Sequence, residues 1–195
     1  MSITVKCSPR GPLQENTYVV RDDATGLYAI VDPGCIGDDI RAEIGDRENL
    51  KLIMLTHGHP DHFHSAADYI SEYPDALFVA PEKEKYLLNK GGCPVAGRYV
   101  TEGDTVSLGE TEFSFIETPG HTEGGMCILT GKFMFSGDTL FRLSVGNTSF
   151  ETGDWDTLES SIKNKLFTLD EDIVVYPGHG SPTTIGFEKK ANPFV

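Results

Sequence analysis

The sequence predicts an α+β domain in which strands come first and helices are interleaved later. Three short segments rich in β-branched and aromatic residues precede the first segment with helical periodicity. Further along, two pairs of strand-like segments are joined by short glycine-containing turns, as in β-hairpins. A chain of 195 residues can build one substantial core, so we expect a single domain over residues 1–195.

The first third of the chain predicts strands, one short helix and then another strand. The predicted strands cover residues 3–7, 17–20, 28–31 and 50–55. Between the last two, Ile36, Ile40 and Ile44 recur every four residues, which indicates an amphipathic helix that Gly45 helps to end. After residue 55, helical spacing returns at Phe63, Ala66, Ala67 and Ile70.

The middle of the chain alternates strand and helix before an irregular segment. A strand over residues 76–79 is followed by a helix over 81–88 that has proline at its start. Residues 89–103 contain Gly91, Gly92, Pro94 and Gly97, and we expect an irregular loop there. Loops of this length are often functional, so the segment is a candidate lid or substrate wall.

The last part predicts two hairpins, a helix and a strand. The hairpins pair residues 105–108 with 112–116 and residues 126–129 with 133–135. A final helix starts near Asp154 or Asp156 and places Trp155, Leu158, Ile162 and Leu166 on one face. Residues 173–176 form the last predicted strand.

Composition excludes several classes of partner. The formal net charge of −14 disfavours nucleic acid, because such binders need clustered lysine and arginine. The apolar runs are shorter than a membrane helix requires, and the first residues lack a signal-peptide pattern, so we expect a cytoplasmic protein without a membrane partner. The four cysteines form no CxxC pair, and we interpret them as reduced, mostly buried thiols.

The densest group of chemically active residues is the segment over residues 56–62, which contains three histidines and an aspartate. The apolar run before it and the helical spacing after it place the segment in a strand-to-helix loop. In an extended segment His57 and His59 point the same way, whereas a turn at Pro60 redirects Asp61 and His62. One loop could therefore supply ligands to two metal ions.

Three more glycine-flanked turns follow predicted strands, and each carries one histidine or aspartate. These residues are His121, Asp138 and His179. A single histidine in such a turn is usually only a turn residue, but these turns and residues 56–62 together contain five of the six histidines. We therefore expect them to converge on one shared site.

The series of motifs resembles the metallo-β-lactamase superfamily. The cluster His57-x-His59-x-Asp61-His62, followed by His121, Asp138 and His179, carries the resemblance. The surrounding segments 118–122, 137–141 and 177–180 are most similar to the glyoxalase II branch of hydroxyacylglutathione hydrolases. The resemblance covers nearly the whole chain. It implies an αββα sandwich, in which two mixed β-sheets face each other with helices outside.

The resemblance also implies a division of the ligands between two divalent metal ions. His57, His59 and His121 would hold one ion, Asp61, His62 and His179 the other, and Asp138 would bridge them. Imidazole and carboxylate suit zinc, our first expectation, and also iron or manganese. Asp61 and Asp138 are the expected catalytic carboxylates. A metal-bridging hydroxide would attack a small-molecule thioester, such as a hydroxyacylglutathione.

Two departures from the glyoxalase II pattern bear on the substrate. Only about sixteen residues follow His179, so we expect no separate C-terminal helical domain of the kind that helps to hold glutathione. Asn147 stands where the branch usually has lysine or arginine, and a neutral amide loses a charge-assisted pair with a substrate carboxylate. Hydrolysis is therefore better supported than glutathione as the carrier.

The sequence is also compatible with two other functions. One is a mononuclear iron enzyme resembling persulfide dioxygenases that uses only His57, His121 and Asp138, although Thr139-Leu140-Phe141 favours the hydrolase. The other is a metal-binding protein without activity, which the number of ligands disfavours. A β-lactamase is less favoured because such enzymes are typically exported, and a nuclease because of the charge.

A few residues near the motifs have ordinary explanations. We expect His64 to be an exposed helix residue rather than a ligand, and Cys127 and Tyr176 to be packing residues. Asp32 either orients a ligand histidine or caps its own turn. The sequence leaves the oligomeric state open.

Overall fold

A computed structural model describes residues 2–195 of the chain. Its strands are β1 (Ile3–Arg10), β2 (Glu15–Asp22), β3 (Tyr28–Val31), β4 (Leu50–Met54), β5 (Leu77–Pro81), β6 (Arg98–Val100), β7 (Thr105–Leu108), β8 (Thr111–Glu117), β9 (Met126–Thr130), β10 (Phe133–Gly137), β11 (Leu140–Phe141), β12 (Ser144–Val145), β13 (Val174–Pro177) and β14 (Thr183–Thr184). Its helices are α1 (Asp38–Ile44), α2 (Pro60–Phe63), α3 (Ala66–Glu72), α4 (Lys85–Gly91), α5 (Trp155–Asn164) and α6 (Ile185–Ala191).

The strands form two six-stranded mixed sheets and a small hairpin of β11 and β12. The first sheet has the order β1-β2-β3-β4-β5-β6, antiparallel up to β3 and parallel from β3 onward. The second has the order β14-β13-β10-β9-β8-β7, and its only parallel pair among the described residues is β10 with β13.

Three apolar clusters fill the spaces between four layers. The inner cluster joins side chains of both sheets, including Tyr18, Leu52, Met54, Phe113, Phe115 and Phe135. One outer cluster packs α1, α3 and α4 on the first sheet, and the other packs α5 and α6 on the second. Strand alternation separates these clusters: Met126 and Ile128 point inward, whereas Cys127 between them points to the outer layer.

The αββα sandwich implied by the sequence resemblance is confirmed. Both predicted hairpins, the helix ending at Gly45 and the strand over residues 28–31 are present within a residue or two of their predicted bounds. Gly45 ends α1 with φ of 70°, a conformation that favours glycine. All four cysteines are free thiols, of which Cys93 and Cys127 are buried and Cys7 is exposed.

Three local predictions are wrong, and one helix was not predicted. β1 continues through Pro9 because an edge strand tolerates proline, which has no N–H to donate. Residues 89–103 complete α4 and add the edge strand β6, so they extend the first sheet. Trp155 is 38% exposed and does not share the buried face of Leu158 and Ile162. The helix α6 was not expected.

No helix among residues 2–195 is both long enough and apolar enough to cross a bilayer.

Candidate metal centre

Loops that follow strands of both sheets bring the predicted site residues to one edge of the sandwich. His57 and His59 lie in the loop after β4, and Asp61 and His62 lie in the first turn of α2. His121, Asp138 and His179 follow β8, β10 and β13, respectively. The backbone joins the sheets here, since Met126 N donates to Thr56 O at 2.9 Å. All seven residues therefore face one small volume.

Three histidines form the first group of metal-binding atoms. His57 Nε2 lies 3.1 Å from His59 Nδ1, which in turn lies 2.9 Å from His121 Nε2. Three ring nitrogens at such distances cannot all satisfy one another, because each neutral imidazole has a single N–H. Together the three nitrogens can surround a cation.

Asp61, His62 and His179 form the second group. His179 Nε2 lies 3.4 Å from Asp61 Oδ2, and His62 Nε2 lies 3.9 Å from the same oxygen. The turn at Pro60, which begins α2, separates these side chains from His57 and His59, as the sequence predicted. The structure thus brings the seven predicted residues together in two groups of three plus Asp138.

Asp138 lies between the two groups. Its Oδ2 is 3.4 Å from His121 Nε2, and its Oδ1 is 3.3 Å from His62 Nε2. Gly178 leaves room for this carboxylate, because a Cβ there would come within 2.2 Å of Asp138 Oδ1. One carboxylate can therefore contact ions in both groups.

Four of the histidines have their other ring nitrogen directed at an oxygen. His62 Nδ1 lies 3.0 Å from Asp32 Oδ2, His121 Nδ1 lies 2.7 Å from Asn147 O, and His179 Nδ1 lies 3.0 Å from Leu13 O. Thr56 Oγ1 donates to Asp32 and lies 3.1 Å from His57 Nδ1, from which it can accept. These contacts fix ring orientation and leave the inward nitrogens free to bind metal.

The electrostatics of the first group favour neutral imidazoles. Burial, together with the neighbouring histidine charges, lowers the pKa of His57 well below its usual value. Burial also lowers the pKa of His59 to about 4 and reduces that of His121. Neutral imidazole is the form that binds metal, so these three rings are ready for an ion at neutral pH.

The second group has the opposite balance. Burial disfavours a charge on His62, but the carboxylates of Asp138 and Asp32 outweigh it and raise the pKa of His62 well above its usual value. Burial works against ionisation of Asp61, yet the contact with His179 and the charge of His62 hold the pKa of Asp61 at about 2. The second group therefore favours positive charge, which either protons or a divalent cation can supply.

The donor atoms fit the metal ions that the resemblance implies. Within residues 2–195, the buried His62 Nε2 and Asp138 Oδ1 lie 3.3 Å apart, but neither forms a hydrogen bond with the other or with a further atom. Buried polar atoms without partners are costly, and at this place a cation would satisfy both of them. Imidazole and carboxylate ligands suit zinc, iron and manganese alike, so the residues fit a metal without selecting one.

Two buried carboxylates near the centre were missed at the sequence level. Glu84, which is 1% exposed, accepts hydrogen bonds from Gly58 N and Gly124 N at 2.7 Å each. Glu15, which is 2% exposed, has its Oε1 4.0 Å from His62 Nδ1. Burial raises the pKa of Glu15 to about 9. Glu84 lies four residues before the buried Leu88, and this helical spacing was the available signal.

A cavity of about 340 Å³ opens onto the candidate centre. Its lining consists of Leu13, His59, Pro60, Asp61, His121, Asp138, Phe150 and His179. Leu13 and Phe150 are 64% and 54% exposed, and the Phe150 ring lies edge-on to His59 at 5.3 Å between centroids. Residues 89–103, the candidate lid or substrate wall, do not line this cavity, and Leu13 and Phe150 flank its opening.

The remaining candidates fall outside the two ligand groups. His64 is exposed, as expected. Asp32 contacts the ligand candidate His62, in line with the first of its two expected roles, and it also accepts from Thr56 N at 2.8 Å. Asn147 is exposed, and its backbone carbonyl rather than its side chain contacts His121.

Comparison with known proteins adds to this geometry. The family model for the metallo-beta-lactamase superfamily matches residues 10–179. The chain belongs to the metallo-β-lactamase superfamily. Hydroxyacylglutathione hydrolase GloC of Haemophilus influenzae is 34% identical over 209 residues, covering 99% of this chain and 98% of that protein. The expected similarity to hydroxyacylglutathione hydrolases is thereby confirmed.

Two solved structures from the superfamily are also similar over nearly their whole length. The BLEG-1 B3 metallo-beta-lactamase has a TM-score of 0.86 at 33% identity, covering 98% of this chain and 99% of that one. TTHA1623 in a di-iron-bound form has a TM-score of 0.83 at 31% identity, covering 98% and 100%. Superfamily members of this size thus carry different names and, in one case, two iron ions.

Proposed function

We propose that this chain is a dinuclear metal-dependent hydrolase that cleaves a small-molecule thioester. The observation that carries the proposal is the pair of convergent donor groups that share Asp138. A single structural ion would need only four ligands, whereas seven side chains meet here. The similarity to GloC supports a thioester as the bond that is cleaved.

The seven side chains have separate tasks in this proposal. His57, His59 and His121 would hold one divalent ion, Asp61, His62 and His179 would hold the other, and Asp138 lies between the two groups, where it could serve both. When bound, two such ions lower the pKa of a water and polarise a carbonyl oxygen, so no serine or cysteine nucleophile is required. Zinc is the metal that we expect first, and the similarity to a di-iron-bound structure supports iron as the alternative.

The contacts behind the ligands keep the site ready for reaction. Asp32, Asn147 O and Leu13 O each hold one ligand ring, so the ring does not have to reorient when substrate arrives. Leu13 and Phe150 flank the opening and can exclude water from a substrate that lies between them. Asp61 and Asp138 are the two carboxylates that line the cavity over the candidate centre.

Thioester hydrolysis is tested by measuring the thiol released from the substrate by purified protein that has been loaded with zinc, iron or manganese. S-D-lactoylglutathione and uncharged N-acetylcysteamine thioesters are the first substrates. We expect turnover that is lost with a chelator and restored by metal. Failure to cleave any thioester by protein that holds two ions per chain would refute the proposal.

A second candidate is hydrolysis of a β-lactam. The similarity to the BLEG-1 B3 metallo-beta-lactamase favours it, and a lactam amide also presents a carbonyl to the site. A chromogenic cephalosporin, assayed on the same loaded sample, separates the two. A cephalosporin cleaved with a kcat/KM well above that of every thioester would reverse the order of the candidates.

A further inference from the structure

A second cavity, of about 310 Å³, adjoins the opening of the candidate centre. We call it the side cavity. Gly11, Pro12, Leu13, Gly34, Pro60 and His64 form most of its wall. It shares Leu13, Pro60 and Asp61 with the cavity over the ligands. A group bound in the side cavity would therefore lie next to Asp61, which lines both cavities.

The side cavity does not suit a negatively charged group. Arg10 is the only lysine or arginine among the described residues that line it, and Asp39 already engages its guanidinium. Two further lining residues are carboxylic acids, namely Asp61 and Glu15. An anion there would therefore find no unpaired lysine or arginine side chain among the described lining residues. The remaining wall is largely apolar.

We propose that the side cavity binds the uncharged, apolar acyl chain of the substrate. This inference rests on the proposed thioester hydrolysis and specifies which half of the substrate lies where. Common thiol carriers such as glutathione bear carboxylates, which would have no unpaired cationic partner in the side cavity, whereas an acyl chain is neutral and apolar. The carrier would then lie on the more open side of the centre, next to Phe150 and Asn147.

The test is a series of N-acetylcysteamine thioesters with acetyl, butyryl, hexanoyl and octanoyl groups. Burying each added methylene should raise kcat/KM roughly fourfold until the cavity is filled. The two proposals fail differently in this experiment. No hydrolysis at any length would refute the thioesterase, whereas equal kcat/KM at all lengths would refute only the acyl site.

A substitution in the wall of the side cavity tests whether the dependence of kcat/KM on acyl-chain length arises there. His64→Trp should reduce the space in the side cavity and lower the ratio of octanoyl to acetyl kcat/KM by about tenfold or more. Asp68→Trp is the matched control, because Asp68 is exposed on α3 and does not line the cavity. A ratio unchanged by His64→Trp, or lowered equally by both variants, would overturn the assignment.

A second inference rests on a separate observation, the contacts of Glu84. One of its oxygens accepts from Gly58 N, between His57 and His59, and the other from Gly124 N, three residues after His121. The fit is tight, since a Cβ on Gly58 would come within 2.5 Å of Glu84 Oε2. One buried carboxylate therefore joins the two loops that carry the three-histidine group.

We infer that Glu84 is a positioning residue that sets the spacing of His57, His59 and His121. Both hydrogen bonds are short, and in both a buried carboxylate oxygen accepts from a backbone N–H. Hydrogen bonds to a carboxylate belong to the strong class. Glutamine keeps the shape but turns an amide NH₂ toward one of the two N–H donors. The loops should then move relative to each other while the fold persists.

The test compares Glu84→Gln with Glu82→Gln, a matched change at an exposed residue paired with Lys85. We expect Glu84→Gln to weaken binding of the first-group ion by about 10- to 100-fold and to change the visible absorption spectrum of bound cobalt(II). Wild-type affinity and spectrum would overturn the inference. If Glu84→Gln does not fold, Glu84→Asp gives the same readout, since it keeps the charge and shortens the reach.

Discussion

The Asp32 side chain contacts three polar atoms beside the candidate centre. Its two oxygens accept from Thr56 N and Thr56 Oγ1 at 2.8 Å each, and its Oδ2 lies 3.0 Å from His62 Nδ1. Its own backbone has φ of 52°, a conformation that aspartate adopts more readily than most residues. Of the two roles that the sequence offered for Asp32, the side-chain contacts match the orienter of a ligand ring rather than the cap of its own turn.

His59→Ala tests the first ligand group. The change removes one of three converging nitrogens from a half-exposed position, so the fold should persist. We expect kcat/KM to fall by roughly 100-fold or more, because even the loss of residues behind a ligand costs 10- to 100-fold. The measurement is turnover at saturating metal, with circular dichroism as the check on folding. Full activity would remove His59 from the ligands.

Asn147→Arg tests whether the loop before Phe150 faces the carrier. The new side chain leaves the backbone carbonyl that holds His121 in place. A guanidinium there should pair with a substrate carboxylate and lower KM for S-D-lactoylglutathione by roughly tenfold, an effect that added salt reduces. KM for an uncharged N-acetylcysteamine thioester is the control. Equal KM values for wild type and variant on the glutathione substrate would show that the loop does not contact it.

At the scale of elements, Asp22 joins the turn after β2 to the hairpin of β7 and β8. Its carboxylate, in a residue that is 1% exposed, accepts from Thr111 Oγ1 at 2.8 Å and from Thr25 N at 3.1 Å. Burial works against ionisation of Asp22, but the hydrogen bonds from Thr25 and Thr111 outweigh it and lower the pKa of Asp22 below 3.8. The charged form therefore stabilises the folded chain.

Asp22→Asn should lower the free energy of unfolding at pH 7 by about 1–3 kcal/mol. A lowered pKa means that this stabilisation is present above the unfolded value near 3.8 and is lost as pH falls through the folded value. The difference between wild type and variant should thus shrink below pH 4. Urea unfolding at pH 7 and pH 3 measures both. A difference that stays constant with pH would mean that the carboxylate charge is not responsible.

Elements with strong local signals were predictable from the sequence, and those that depend on tertiary contacts were not. The hairpins have glycine turns between alternating residues, and α1 has a regular isoleucine spacing. By contrast, α6 has Gly186 in its first turn, and a Cβ there would come within 2.8 Å of Glu171. Its position depends on close packing that local sequence does not reveal.

The same distinction applies to the candidate site. The seven ligand candidates were identifiable because histidine and aspartate are conspicuous in glycine-flanked turns after strands. Glu84 was missed, because residues 82–85 alternate glutamate and lysine, and the four-residue spacing from Glu84 to Leu88 is a weak signal in such a run. Only the fold shows that one of these glutamates turns inward between two loops.

At the scale of the whole molecule, the candidate centre joins the two sheets along one edge. Removing metal should therefore weaken the packing of both halves. Each ion at a hundred times its Kd would add about 2.7 kcal/mol to the free energy of unfolding. In a chain of 195 residues, removal of metal with a chelator should therefore lower Tm by roughly 5–10 °C per ion. An unchanged Tm after verified metal removal would show that the sites do not contribute to stability.

The most direct test of the dinuclear hydrolase is the metal content of purified protein, measured by mass spectrometry, together with thioester hydrolysis on the same sample. The proposal predicts two ions per chain and thiol release that depends on both. One iron per chain, with sulfur-dependent oxygen uptake and no hydrolysis, would contradict it and favour the mononuclear oxygenase that uses His57, His121 and Asp138.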